Sequence, residues 1–85
     1  MLLMINPEDP APPYRQLAAL LRGQITSGRL TGRLPGERTL SQEYGVAVGT
    51  VRKAVAILRG EGLVETVHGW GSTVVSRTPR QQQGR

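Results

Sequence analysis

Two short amphipathic stretches separated by one glycine, within residues 37 to 59, restrict the fold of this chain more than any other feature. Leu40 and Tyr44 stand at i and i+4, Gly45 follows, and Val51, Ala54, Val55 and Leu58 then recur at i, i+3, i+4 and i+7. Apolar residues at that spacing share one face of a helix, and glycine supplies the left-handed residue that closes a helix. The pattern predicts a helix of barely two turns over 37–44, with Gly36 as its N-cap, and a longer one from after "GVA" to about Arg59. At about 100° per residue, the side of the longer helix opposite its Val51 stripe carries Gly49, Arg52, Lys53 and Ala56. That side is small, basic and without acids, so a flat anionic partner can approach it closely.

Neither helix can bury its apolar face alone. From Tyr14, the positions Leu17, Ala18, Leu21 and Ile25 repeat the helical spacing, with Pro13 at the start and Gly28 as the stop, which predicts a first helix over 14–27. The stretch "GRLTGRLP" then breaks the periodicity with two glycines and a proline, leaving a loop with room for a two- or three-residue strand around Leu30. Past Gly62, "LVETV" and "STVV" are β-branched runs separated by "HGWG", whose glycines permit the positive φ angles of a tight hairpin. The expected core is Leu17, Leu21, Ile25, Leu40, Val51, Val55, Leu58 and Leu63. The expected fold is α+β: three helices followed by a two-stranded antiparallel wing.

The flanks read differently. "NPEDPAPP" holds four prolines in eight residues, each without an amide donor and each biasing its predecessor away from helix, so residues 1–13 are expected to form an extended arm. The folded unit is expected over 14–75. The tail 76–85, "SRTPRQQQGR", has three arginines, a glutamine run and no apolar pattern, and is expected to be disordered and free to touch phosphates.

Composition narrows the chemistry. A chain of 85 residues makes one domain and buries only about 60% of its unfolded surface. Eleven basic residues against six acids give a net charge of +5, which points to a polyanionic partner, nucleic acid first. With no cysteine and one histidine, neither disulfides nor a metal site are expected, no cofactor is implied, and a cytoplasmic setting fits best. The apolar "MLLMI" ends after five residues at Asn6-Pro7, too short for a membrane or signal segment. No carboxylate pair, no nucleophile beside a base and no phosphate-cradling glycine loop is present, so an enzyme is not expected.

A short helix, a turn at Gly45-Val46 and a longer helix that is basic outward form a helix-turn-helix, and a hairpin directly after it makes the winged version. Specific stretches also resemble a known family. "PPYRQLAALLRGQITSG", "LPGERTLSQEYGV" and "TVRKAVAILRGEGLVE" resemble the opening helix and the two motifs of the DNA-binding domain in GntR-type bacterial transcriptional regulators, its YtrA and HutC branches especially, over about Ile5 to Val75. The resemblance implies a sequence-specific regulator of transcription, a repressor acting on double-stranded DNA as a homodimer, with its third helix in the major groove and its wing near the minor groove. It also implies a larger C-terminal effector domain, of which this sequence holds nothing, so no effector site is expected within it.

Residue roles follow from that likeness. Arg38 would approach a phosphate or a guanine edge, Arg52 would read guanine O6 and N7 with its forked donors, and Thr50 would donate to a phosphate. Gly49 and Lys53 share the outward face. His68 and Gly69 match the wing tip, where a residue without a side chain lets the backbone enter the narrow groove. Departures stand beside the matches: Ala47-Val48 replaces the family's Ser-Arg, Gly36 replaces a capping serine, the Leu30–Leu34 loop is two residues shorter than usual, and Trp70 replaces a frequently basic residue. Val48 could touch a thymine methyl, which would alter base preference.

Plainer readings stay open. Arg38 could pair with Glu37 or Glu43 on its own helix, His68 could serve only the turn, and Trp70 could either cover core surface or contact sugar and phosphate. The alternative function is a winged-helix module that binds a protein and antagonises a related regulator.

Overall fold

Two faces meet at the centre of the domain: Leu17, Ala18 and Leu21 of the first helix and Val51, Ala54, Val55 and Leu58 of the third, all within 8% exposure. The computed structural model describes residues 5–67, 69 and 71–75. Its elements, in order, are α1 (Pro13–Thr26), α2 (Glu37–Tyr44), α3 (Val48–Gly60), β1 (Val64–Val67) and β2 (Gly71–Val74). Leu34, Leu40 and Val64 complete a buried cluster that holds no polar residue. The stripes at helical spacing therefore do what their period predicts. Ile25 and Leu63, expected in the core, are only half-buried at its edge.

The helix limits have local causes. Pro13 begins α1, where a missing amide donor costs nothing. Gly45 closes α2 with φ 67° and ψ 37°, the left-handed region that glycine enters without a Cβ clash. The first helix begins and ends one residue earlier than its sequence pattern predicts, within the fraying expected of helix ends.

The wing is the antiparallel pair β1–β2, with Val64 opposite Val74, Glu65 opposite Thr73, Thr66 opposite Ser72 and Val67 opposite Gly71. The short strand expected around Leu30 lies three residues later. Arg33 forms an isolated bridge with Thr73, flanked by Leu34 N donating to Ser72 O (2.9 Å) and Val74 N donating to Gly32 O (2.7 Å). The α1–α2 loop thus runs along β2 as a third, one-bridge strand and ties the base of the wing to the N-terminal end of α2.

The arm departs from its expected extended form. Residues 7–8 form a turn and 9–11 a bend, and Gln16 holds the segment with three hydrogen bonds. Its Oε1 accepts from Asn6 N (2.6 Å), and its Nε2 donates to Asn6 O (2.9 Å) and Ala11 O (2.8 Å). Prolines excluded helix there, and the turn is closed by Asp9 N donating to Asn6 O (3.1 Å), Glu8 N to Asn6 Oδ1 (3.0 Å) and Ala11 N to Asp9 Oδ1 (2.8 Å), with Gln16 tying it to α1. Ile5 packs on the core from this position, and the preceding "MLLM" lies outside the described residues, as does the tail 76–85.

Arg22 of α1 and Glu61, just past α3, form a two-pronged ion pair: Nε to Oε1 at 2.8 Å and Nη2 to Oε2 at 2.6 Å. Hydrogen bonding from Arg22 holds the Glu61 carboxyl below the usual carboxylate range. A depressed folded pKa means that the pair's stabilisation is present above the unfolded pKa and is lost as pH falls through the folded one. The gap in melting temperature between the native chain and Glu61→Gln should be widest near neutrality and close in acid. A gap independent of pH would show that the pair contributes nothing through its charge.

Gly45 gives a second test. Nothing lies within 4 Å of a β-carbon placed there, so Gly45→Ala carries only the left-handed backbone penalty, about 1–2 kcal/mol. Urea denaturation should show that loss with an unchanged slope.

Candidate nucleic-acid interface

The turn between α2 and α3 is closed from both sides by one residue. Val46 N donates to Ser41 O at 3.1 Å, the Gly45 amide also points to Ser41 O, and the Ser41 hydroxyl donates back to Val46 O. Ser41 carries no signal in the helical pattern, being merely a polar residue within a short helix, yet it fixes the angle at which α3 leaves α2. From α1, Gln24 Nε2 donates to the Tyr44 hydroxyl at 2.9 Å and holds the end of α2 in place.

At its head α3 has Ala47 as N-cap, and no side chain caps it. The Ala47 carbonyl accepts from Thr50 N (3.0 Å) and Val51 N (3.2 Å), which starts the helix without the usual hydroxyl or carboxylate. Burial of the Val51 stripe then determines which residues face out. Gly49, Arg52, Lys53 and Ala56 are all exposed, whereas Val48 and Thr50 are half-buried at the rim of that face.

Two of the outward cations have partners that the sequence pattern did not indicate. Arg52 Nε lies 3.1 Å and 3.2 Å from the two carboxylate oxygens of Glu37, at the start of α2. Its side chain remains 67% exposed, so the guanidinium is oriented rather than covered. Lys53 Nζ lies 5.4 Å from the centre of the Tyr14 ring on α1, a cation–π distance. Arg38 is exposed and belongs to neither of the two ion pairs among the described residues, so the expected alternative of pairing on its own helix is not realised. Glu37, the acid nearest to it in sequence, is engaged across the turn instead.

At the wing, Gly69 is exposed with φ 76°, a conformation that favours glycine at a hairpin tip. His68 and Trp70 lie outside the described residues. Between the outer flank of α3 and the base of the wing runs a cleft of about 500 Å³. Its floor includes Leu34, Leu40 and Val55, and its rim carries Arg33, Arg52 and Arg59 with Glu37 as the one carboxylate among the described residues. No cluster of metal-ligating side chains occurs among the described residues, and none of their helices is long and apolar enough to cross a membrane.

Comparison with known proteins assigns this architecture. The profile of the bacterial regulatory proteins of the gntR family matches residues 13–74, from the first residue of α1 to the last of β2. The chain belongs to the GntR family. That family is one of regulatory proteins, and the chain is not an enzyme. Among its relatives, the Exu regulon transcriptional regulator of Escherichia coli K12 is 44% identical over 77 residues, and the transcriptional repressor NagR of Bacillus subtilis 38% over 81. These alignments take in 88% and 93% of the chain but only 30% and 32% of the relatives, so the chain spans about a third of their length. YtrA from Sulfolobus acidocaldarius, a GntR-family transcription factor, superposes with a TM-score of 0.80 at 30% identity, covering 99% of this chain and 90% of that one. The DNA-binding domain of AraR, solved in complex with operator ORE1, gives 0.74 at 30% identity, covering 88% and 94%. Three helices and a two-stranded wing are thus the GntR winged helix.

Among the described residues Glu37 is the only acid lining the cleft, and its effect on charge can be measured without knowing any target. Glu37→Gln should elute from heparin at higher salt than the native chain. Its loss of stability should not exceed about 1 kcal/mol, because the pair is exposed. Unchanged elution would mean that Glu37 does not moderate the field of this face.

Proposed function

We propose that this chain is the DNA-binding domain of a GntR transcriptional repressor, acting in the cytoplasm on double-stranded DNA as a homodimer. The observation that carries this reading is the exposed, acid-free face of α3, on a fold whose solved neighbours include a domain bound to its operator. In this reading α3 enters the major groove, Arg52 reads guanine, and Arg38, Thr50 and Lys53 hold phosphates. Gly49 allows the helix to approach the base edges closely, and Val48 meets a thymine methyl. His68, Gly69 and Trp70 form the wing tip at the minor groove. Residues 14–75 make the binding unit, with the arm 1–13 beside it, and the basic tail 76–85 adds contacts that do not depend on sequence. A repressor is favoured because a relative with nearly the whole chain in common is named as one. Any effector acts outside residues 14–75.

A domain with so few base-reading groups gains from duplication on a two-fold site, since a second linked contact adds affinity without new chemistry. Glu37 has a role here as well. By holding Arg52 through Nε, it lowers the entropy that a long side chain would otherwise lose on meeting a base.

The test is selection of bound sequences from random duplexes with the native chain and with Arg52→Ala. The native chain should enrich one short motif, palindromic if the dimer holds, and Arg52→Ala should relax it at one position per half-site, corresponding to about 1–3 kcal/mol of discrimination. Binding to mixed duplex should weaken with salt at about 0.9 per phosphate in log–log slope. Absence of duplex binding at low salt would overturn the reading and favour the protein-binding module.

A further inference from the structure

We infer that Tyr14, in the first turn of α1, is a positioning residue for duplex binding: its ring holds the Lys53 ammonium on the α1 side of α3, where it meets a backbone phosphate. The inference rests on the duplex-binding reading given above, in which Lys53 holds a phosphate, and gives a role to a residue that this reading leaves without one.

The two cations in the middle of α3 are consecutive, so they leave the helix about 100° apart. The structure turns that angle into two separate attachments. Arg52 leans toward α2, where its Nε meets both carboxylate oxygens of Glu37. Lys53 leans toward α1 instead, where its Nζ stands 5.4 Å from the centre of the Tyr14 ring. Lys53 is exposed and Tyr14 half-buried, so the ammonium keeps its access to a partner while the ring is partly enclosed. Packing sets the place of that ring. Leu17, Ala18 and Leu21, at i+3, i+4 and i+7 from Tyr14, are buried in the core cluster, and residues at that spacing share a helix face. Tyr14 is thus the N-terminal end of the stripe that seats α1 on α3.

The chemistry of the contact suits its task. Among the described residues, no carboxylate lies within ion-pair distance of Lys53. A carboxylate would orient the ammonium but also offset its charge. An aromatic ring attracts the cation through its quadrupole and leaves the whole positive charge for a phosphate. The four-carbon stem of a lysine samples many rotamers, and ordering it on binding costs affinity. Held near the ring, Lys53 has less of that freedom to lose.

The plainer role for Tyr14 is to stabilise the seating of α1 alone. That role would weaken binding by the same factor whether or not Lys53 is present. The discriminating measurement is a double-mutant cycle in affinity for a mixed-sequence duplex over a salt series, with thermal melting alongside. It uses the full chain, Tyr14→Leu, Lys53→Gln, the two combined, and Tyr14→Phe. Tyr14→Leu should weaken binding about two- to fivefold, the worth of an exposed cation–π contact, and keep the native slope because the ammonium is still present. Lys53→Gln should reduce the log–log slope by about 0.9, and in its background Tyr14→Leu should have no further effect. Tyr14→Phe, which keeps the ring and drops the hydroxyl, should restore the native affinity.

An equal loss from Tyr14→Leu in both backgrounds, or a loss in Tyr14→Phe as large as in Tyr14→Leu, would overturn the inference and leave the duplex reading intact. Native affinity in Tyr14→Leu, or a native slope in Lys53→Gln, would do the same. Failure of the native chain itself to bind duplex would remove both. Should Tyr14→Leu not fold, Tyr14→Met takes its place in the cycle.

Discussion

The rotation of α3 about its own axis is the constraint on which the rest depends. Val51, Ala54, Val55 and Leu58 are buried against Leu17, Ala18 and Leu21. A helix anchored through four positions of one face has no freedom to turn. Every outward residue is then placed by the inward ones: burying Val51 and Val55 presents Arg52 and Ala56. At about 25 cal/mol per Å² of apolar surface, burial of these side chains outweighs anything that the exposed ion pairs contribute. A binding face in a domain this small is thus a by-product of its core, and it can tolerate weak local structure at its edge.

Electrostatics then refines what packing has placed. Net charge alone would draw any polyanion. Glu37, set among three arginines, reduces that general attraction and fixes the direction of Arg52 at the same time. One carboxylate in a cationic cleft exchanges some affinity for orientation, which discrimination between sequences requires more than attraction. Tyr14 acts in the same sense on Lys53, holding a flexible cation near a ring instead of leaving it free in solvent. Both contacts join α3 to a different helix, so the outward side chains are held by the same tertiary arrangement that sets the helix angle.

What the sequence made legible follows from periodicity. Val51, Ala54, Val55 and Leu58 recur at a fixed interval, and from that interval both the core face and its exposed opposite could be read. Gly45 could be read because left-handed backbone favours one residue type. Contacts between elements were out of reach by the same logic. Glu37 and Arg52 are fifteen positions apart, Arg33 and Thr73 forty, and no period links them. Leu34 and Val64 entered the core from positions outside the helices, where no helical period marks burial. The arm failed for a related reason. Proline density excludes helix but does not choose between extended and turned backbone, and that choice fell to the side chains of Asn6 and Asp9 within the arm and of Gln16 at the start of the following helix.

The departures from the family pattern at Ala47 and Val48 acquire a physical meaning in this frame. A cap of alanine forgoes about 0.5–2 kcal/mol, and Gly49 in the first turn forgoes nearly 1 kcal/mol more, so the head of α3 is held by tertiary contacts and not by its own composition. Ser41 supplies one such contact directly before it, and Val51 the first buried anchor within it. A weak first turn without a guanidinium is a poor place to concentrate base reading. The cationic groups that α3 does possess lie further along, at Arg52, Lys53 and Arg59. On the proposed function, recognition has therefore moved from the tip of the helix toward its flank.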